Sequence, residues 1–252
     1  MAHRMLGVQG YEALRELGSG TFGTAVLVAK GGAYFVAKVQ DFAHLGTTGR
    51  TALAREVQNM RQASAYDHPH LVRFRESFQD AGLLYIVMDY CDEQDLGVQI
   101  EMRRHERKQF EEALVQRWIC ELISGLDYLH YLKILHRDIK PNNIFISRGC
   151  AKLGDLGMSK EVSLGATDAY LHTQCGSPLY VAPEVHMGQP YSKSVDIWSL
   201  GCTLFQIMML DFAFGGENTE EIMRNVSSKA TNRHARTLPS FTRPFSRSLP
   251  QP

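Results

Sequence analysis

The stretch Ile134–Ile146, ILHRDIKPNNIFI, constrains the fold of this chain more than any other. A mostly polar loop, His136 to Asn143, is held between two apolar anchors, Ile134-Leu135 and Ile144-Phe145-Ile146. An ordinary solvated turn needs no buried ends; a loop whose side chains must be aimed does. In the preceding residues, ALVQRWICELISGLDYLHYL, Leu114, Trp118, Leu122, Leu126 and Leu129 recur at steps of three and four, and Val115, Ile119 and Ile123 widen the stripe. That spacing predicts an amphipathic helix facing a core. Farther on, DIWSLGCTLFQIMML is apolar nearly all round, as a helix at the centre of a lobe is.

Ahead of these helices the pattern is that of strands. AVLVA and YFVAKV are short β-branched and aromatic runs parted by KGGA, a hairpin signal. LVRFRESF and LLYIVMDY read as two more strands joined by QDAG, and TALAREVQNMRQA as one helix among them. The expected organisation is an N-terminal extension over 1–10, a strand-rich lobe over 11–88, a helical lobe over 89–226 and a basic Ser- and Pro-rich tail over 227–252. The tail lacks periodicity and is expected to be disordered. HPH (His68 to His70) reads as a loop and EMRRHERKQFEE as a solvated charge run.

Several residues carry chemistry. Gly18, Gly20 and Gly23 form GxGxxG between two strand-like runs, so the loop reads as a hairpin tip whose backbone N–H groups can approach phosphate oxygens. Lys38, in a strand fifteen residues on, is placed to reach the same phosphates, and Glu56 on the helix to hold it extended. Taken singly, both also fit solvated surface charges. In the polar loop, Asp138 suits an acceptor for the proton of an attacking hydroxyl and Lys140 a neutralising charge. Asn143, and Asp155 after the strand-like AKLG, offer oxygens to Mg²⁺.

The ordered set GxGxxG, VAK, HRDxKxxN, DxG and APE resembles the eukaryotic protein kinase domain over roughly Tyr11 to Val226. HRD followed by Ile139 and Lys140 is similar to the serine/threonine branch. YIVMDYCDEQDL with KILHRDIKPNNIF most resembles the NIMA-related kinases. The resemblance implies an α+β bilobal fold, a small β-rich N-lobe with one key helix and a mainly helical C-lobe. It implies ATP and Mg²⁺, with Mn²⁺ as an alternative ion, and protein substrates with Ser or Thr acceptors. By the same resemblance Leu17, Ala37 and Phe145 enclose adenine, Met88 is the gatekeeper, Cys91 a hinge contact and Asp95 approaches the ribose. Asp196 braces the catalytic loop, Thr173 is a regulatory phosphosite read by Arg137, and Ser177 contacts Asp138 and Lys140. Met158 goes with a preference for serine over threonine.

Three departures stand out. Ala25 replaces a valine, shrinking one adenine contact by about 1 kcal/mol. Leu156 replaces the phenylalanine of Asp-Phe-Gly, a packing residue stacked between His136 and Met60 toward Phe74. The C-lobe is expected to lack its last helices, leaving Glu184 without the arginine it pairs with in the family. A catalytically inactive, nucleotide-binding scaffold is therefore the alternative reading.

Composition excludes little else. Basic and acidic residues balance at 27 each, which gives no pull toward nucleic acid or an anionic membrane. No apolar run is long enough to span a bilayer or serve as a signal peptide. Five singly placed cysteines argue for a reducing, cytoplasmic setting; association with the cytoskeleton follows only from the resemblance.

Overall fold

The computed structural model describes Gly7 and residues 9–20, 23–161 and 176–228, with the backbone alone for Met158, Lys160 and Glu161. Thr173, nearly all of the tail and most of the N-terminal extension lie outside the described residues. So does the side chain of Met158.

Strands β1 (Glu12–Gly20), β2 (Gly23–Lys30), β3 (Ala33–Asp41), β4 (Phe74–Asp80) and β5 (Leu83–Asp89) form one antiparallel sheet in the order β1-β2-β3-β5-β4. The turn chemistry explains the tight hairpins. Gly31 and Gly32 both have positive φ, as do Ala81 and Gly82, and a two-residue turn of this hand matches strand twist. Helix α1 (Thr47–Ala63) lies on this sheet and buries Glu56, Asn59, Met60 and Ala63.

The predicted strand LVRFRESF is shorter in the structure. Only Phe74 onward joins the sheet; Leu71 makes a single parallel bridge with Leu153. The Val72 N–H donates to Leu153 O at 2.8 Å and the Leu153 N–H to His70 O at 2.9 Å. The segment has crossed to the second lobe, where its backbone finds partners. His68 and His70 lie in this crossing. No cluster of three or more His, Cys, Asp or Glu suited to a metal occurs among the described residues.

The second lobe contains helices α2 (Leu96–Glu106), α3 (Glu112–Tyr131), α4 (Pro183–His186), α5 (Ser194–Met209) and α6 (Thr219–Ser227). Short strands β6 (Ile134–Leu135) and β9 (Lys160–Glu161) pair, as do β7 (Ile144–Ser147) and β8 (Cys150–Leu153). The main core runs through Trp118, Leu122, Leu126, Leu129, Ile134, Ile139, Ile144 and Leu200, and reaches Met60, Phe74 and Leu156. Two predicted core positions are instead exposed. Ile123 is 51% and Ile197 57% exposed. Ile123 follows Leu122 by one residue, so it is turned about 100° out of the buried stripe. None of the described helices is long and apolar enough to cross a membrane.

Candidate active site

The candidate residues come from β3 of the sheet, from α1, and from the segments around the β7–β8 hairpin and the β6–β9 ladder. Lys38 lies in the middle of β3, opposite Ile86 of β5. Its Nζ is 2.7 Å from Asp155 Oδ1 and 3.6 Å from Glu56 Oε1. Burial alone works against the Lys38 ammonium, but the two carboxylates outweigh it and raise its pKa above that of an ordinary lysine. Burial raises the Asp155 pKa too, yet Lys38 outweighs it, so Asp155 ends below the usual range. For Glu56 the outcome is the reverse: burial dominates, and its carboxyl is held above the usual range. Glu56 Oε1 makes no hydrogen bond among the described residues.

Asp155 sits after β8 with φ of +49°, opening a 3-10 turn over Leu156–Met158. Its Oδ1 also accepts the Gly157 N–H at 3.3 Å. Glycines are needed here for space. A Cβ on Gly154 would come within 2.8 Å of the Phe145 ring and 2.9 Å of Val72. Leu156 is buried in the same cluster as Met60 and Phe74.

The polar loop is fixed from below. Asp196, fully buried on α5, accepts the His136 N–H at 3.0 Å on Oδ2 and the Arg137 N–H at 2.8 Å on Oδ1. His130 Nε2 donates to the same Oδ2 at 2.8 Å. These bonds hold Arg137 at φ +66°, a conformation that needs such support in a non-glycine residue. The Arg137 guanidinium donates to Tyr191 Oη at 3.1 Å. His136 accepts the Asp138 N–H on Nδ1, so its Nε2 carries the proton and donates to Gly154 O at 2.9 Å. One buried imidazole thus joins the two loops.

Asp138 collects four donors. Lys140 Nζ and Asn143 Nδ2 reach its Oδ2 at 2.8 and 2.9 Å. The Ser177 N–H and Oγ reach its Oδ1 at 3.2 and 3.3 Å. Lys140 Nζ also donates to Ser177 Oγ at 2.8 Å. With its nitrogen toward Asp138, Asn143 turns its oxygen away. Asp155 likewise spends one carboxylate oxygen on Lys38. The two residues therefore retain oxygen donors of the kind Mg²⁺ takes alongside phosphates, so the donor set fits the ion.

Of the other nucleotide candidates, Ala37 is fully buried, Met88 and Phe145 are half-buried, Leu17 is 36% exposed and Cys91 is buried. Burial pushes the Cys91 thiol up to about 11, so it is a packing residue rather than a nucleophile. Asp95 caps α2 by accepting the Val98 N–H at 3.1 Å and accepts from Asn142 at 3.2 Å. Gly18 would allow a Cβ with nothing within 4 Å, while Gly23 has φ +109° and packs on the backbone of Val39. Gly20 ends β1.

Sequence reasoning missed His130, Tyr191, Asn142, Asn59 and Ser159. The one available signal was Asn59, three residues past Glu56 and so on the same helical face.

The protein kinase domain family matches this chain over residues 11–251. Serine/threonine-protein kinase Nek1 of Mus musculus is 35% identical over 224 residues, covering 88% of this chain and 18% of the relative. Nek5 of Homo sapiens is 36% identical over 221 residues, 86% of this chain and 30% of the relative. Nek3 of Mus musculus is 33% identical over 220 residues, 87% and 42%. The chain spans less than half the length of these relatives.

Proposed function

The chain belongs to the protein kinase domain family, its similar relatives being NIMA-related, and on that premise we propose that it is an ATP-dependent protein serine/threonine kinase. The observation that carries the reading is two constellations joined through His136, which accepts from the Asp138 N–H and donates to Gly154 O. Asp138 is bonded by Lys140, Asn143 and Ser177, and Lys38 is bonded to Asp155 across the lobes.

In this reading ATP lies under the Gly18–Gly23 loop, with adenine between Leu17, Ala37 and Phe145, Met88 and Cys91 at its edge, and Asp95 toward the ribose. Lys38, held by Glu56, meets the phosphates as a point charge. Asn143 and Asp155 hold Mg²⁺ or Mn²⁺, which when bound spreads the phosphate charge. Asp138 orients the substrate hydroxyl; the serine or threonine oxygen forms the new P–O bond as the bond to ADP breaks, and the hydroxyl proton passes to Asp138. Lys140, bridging Asp138 and Ser177, neutralises the transferring group. A phosphate on Thr173 would pair with Arg137 and order the intervening loop. The partners are ATP and proteins bearing Ser or Thr, not nucleic acid, in the cytoplasm and at the cytoskeleton.

The alternative is an inactive nucleotide-binding scaffold disabled by missing last helices of the C-lobe; that every catalytic position is filled argues against it. The test is transfer of labelled phosphate to a generic protein substrate with Mg²⁺, in wild type and Asp138→Asn. Transfer should fall by about 10² to 10⁴ in the variant while ATP binding persists. Equal transfer by both proteins sinks the reading.

A further inference from the structure

The inner face of α1 carries one polar residue that the proposed reaction does not use. Its buried residues, Glu56, Asn59, Met60 and Ala63, form a stripe at i, i+3, i+4 and i+7. Asn59 is 2% exposed. A buried amide persists where it is hydrogen-bonded, and Asn59 Nδ2 donates to Ser159 Oγ at 3.0 Å. Ser159 closes the 3-10 turn that Asp155 opens, and its N–H is fixed to Leu156 O at 2.9 Å.

Besides the non-directional packing of Met60 and Leu156 in one cluster, helix and turn are therefore joined by polar contacts at two points. At one, Lys38 lies between Glu56 and Asp155; at the other, Asn59 holds Ser159. Between them Gly157 faces the ion cluster, where a Cβ would stand 3.2 Å from Glu56 Oε1 and 3.3 Å from Lys38 Nζ. A single joint sets a distance but leaves a helix free to roll. A second joint, one turn along, removes that freedom. The Lys38–Glu56 contact is the long one at 3.6 Å, and Glu56 Oε1 makes no hydrogen bond among the described residues, although the Gln40 side chain also bonds the Glu56 carboxyl.

We propose that Asn59 and Ser159 form a positioning pair, whose hydrogen bond sets the roll of α1 against the Asp155 turn and thereby keeps Glu56 on Lys38. The pair acts through Lys38 and touches no reacting atom. It rests on the reading that Lys38 meets ATP phosphates.

The test uses Asn59→Leu, Ser159→Ala, their double variant and Ser159→Thr, each also in a Glu56→Gln background. Mg²⁺–ATP affinity is read by displacement of a fluorescent ATP analogue, alongside kcat, KM for ATP and for substrate, and Tm. Each single variant should weaken ATP affinity about tenfold, the size of an ordinary contact coupling. The double should be no worse than the worse single, Ser159→Thr should restore binding, and KM for the protein substrate should not move. In Glu56→Gln none of the changes should have further effect. A merely structural pair would lower Tm, add its penalty in both backgrounds and leave ATP affinity alone; that result overturns the proposal. If Asn59→Leu does not fold, Ser159→Ala and Ser159→Thr decide. If wild type binds ATP without transferring phosphate, the kinase reading fails and the affinity arms still decide the pair. Absence of ATP binding overturns both.

Discussion

Lys38 Nζ lies 2.7 Å from Asp155 Oδ1, so a strand of the first lobe is tied directly to the turn that leaves β8 in the second. The lysine has a second, looser acid in Glu56. The three groups share one charge problem: two carboxylates and one ammonium in a buried place.

That imbalance predicts a pH response. Burial holds Glu56 above its ordinary value of 4.5, with Lys38 opposing only in part. A carboxyl with a raised folded pKa contributes stability that is full below 4.5 and lost as pH rises through the folded value. Asp155, lowered, contributes stability at neutral pH that is lost as pH falls through its folded value. On acidification the Lys38–Glu56 link goes first. Glu56→Gln should leave Tm at pH 7 unchanged or higher, cut transfer by about a hundredfold through misplacement of Lys38, and move the acid limb of the pH–activity profile downward. A limb that stays in place contradicts this assignment.

Leu156 is buried with Met60 and Phe74. Leu156→Ala should cost about 2–5 kcal/mol in urea unfolding and abolish transfer. Leu156→Phe adds volume to a packed cluster, costing about 1–3 kcal/mol, but leaves Asp155 and Gly157 intact, so transfer should persist. Loss of transfer in a folded Leu156→Phe variant would show that leucine does more here than pack.

Asp196 satisfies three buried donors, from His136, Arg137 and His130. Asp196→Ala strands all three and releases Arg137 from its left-handed conformation. The expected cost is about 3–5 kcal/mol, seen as a lowered Tm, with transfer lost even at temperatures where the variant is folded.

Glu184 makes a weaker contact, accepting from Ser194 Oγ at 3.3 Å, and no cation lies in ion-pair range among the described residues. Glu184→Ala should therefore change stability by no more than about 0.5 kcal/mol. A loss of several kcal/mol in calorimetry would mean that this carboxylate has a partner beyond the described residues.

The sequence by itself determined whatever depends on neighbours along the chain. Paired glycines marked the β2–β3 turn, three- and four-residue steps marked α3, and apolar anchors marked Ile134–Ile146 as a loop held at both ends. These are local steric and periodic effects, readable without knowing what packs where. The same reading misjudged Ile123 and the start of β4, because exposure and strand pairing depend on what lies opposite. Tertiary structure alone decided the long-range contacts. Asn59 meets Ser159 across 100 residues, and His130 meets Asp196 across 66. Such meetings follow from how α1 packs against the turn after β8 and α5 against α3, and a buried polar atom takes as partner whatever donor or acceptor that packing brings within reach.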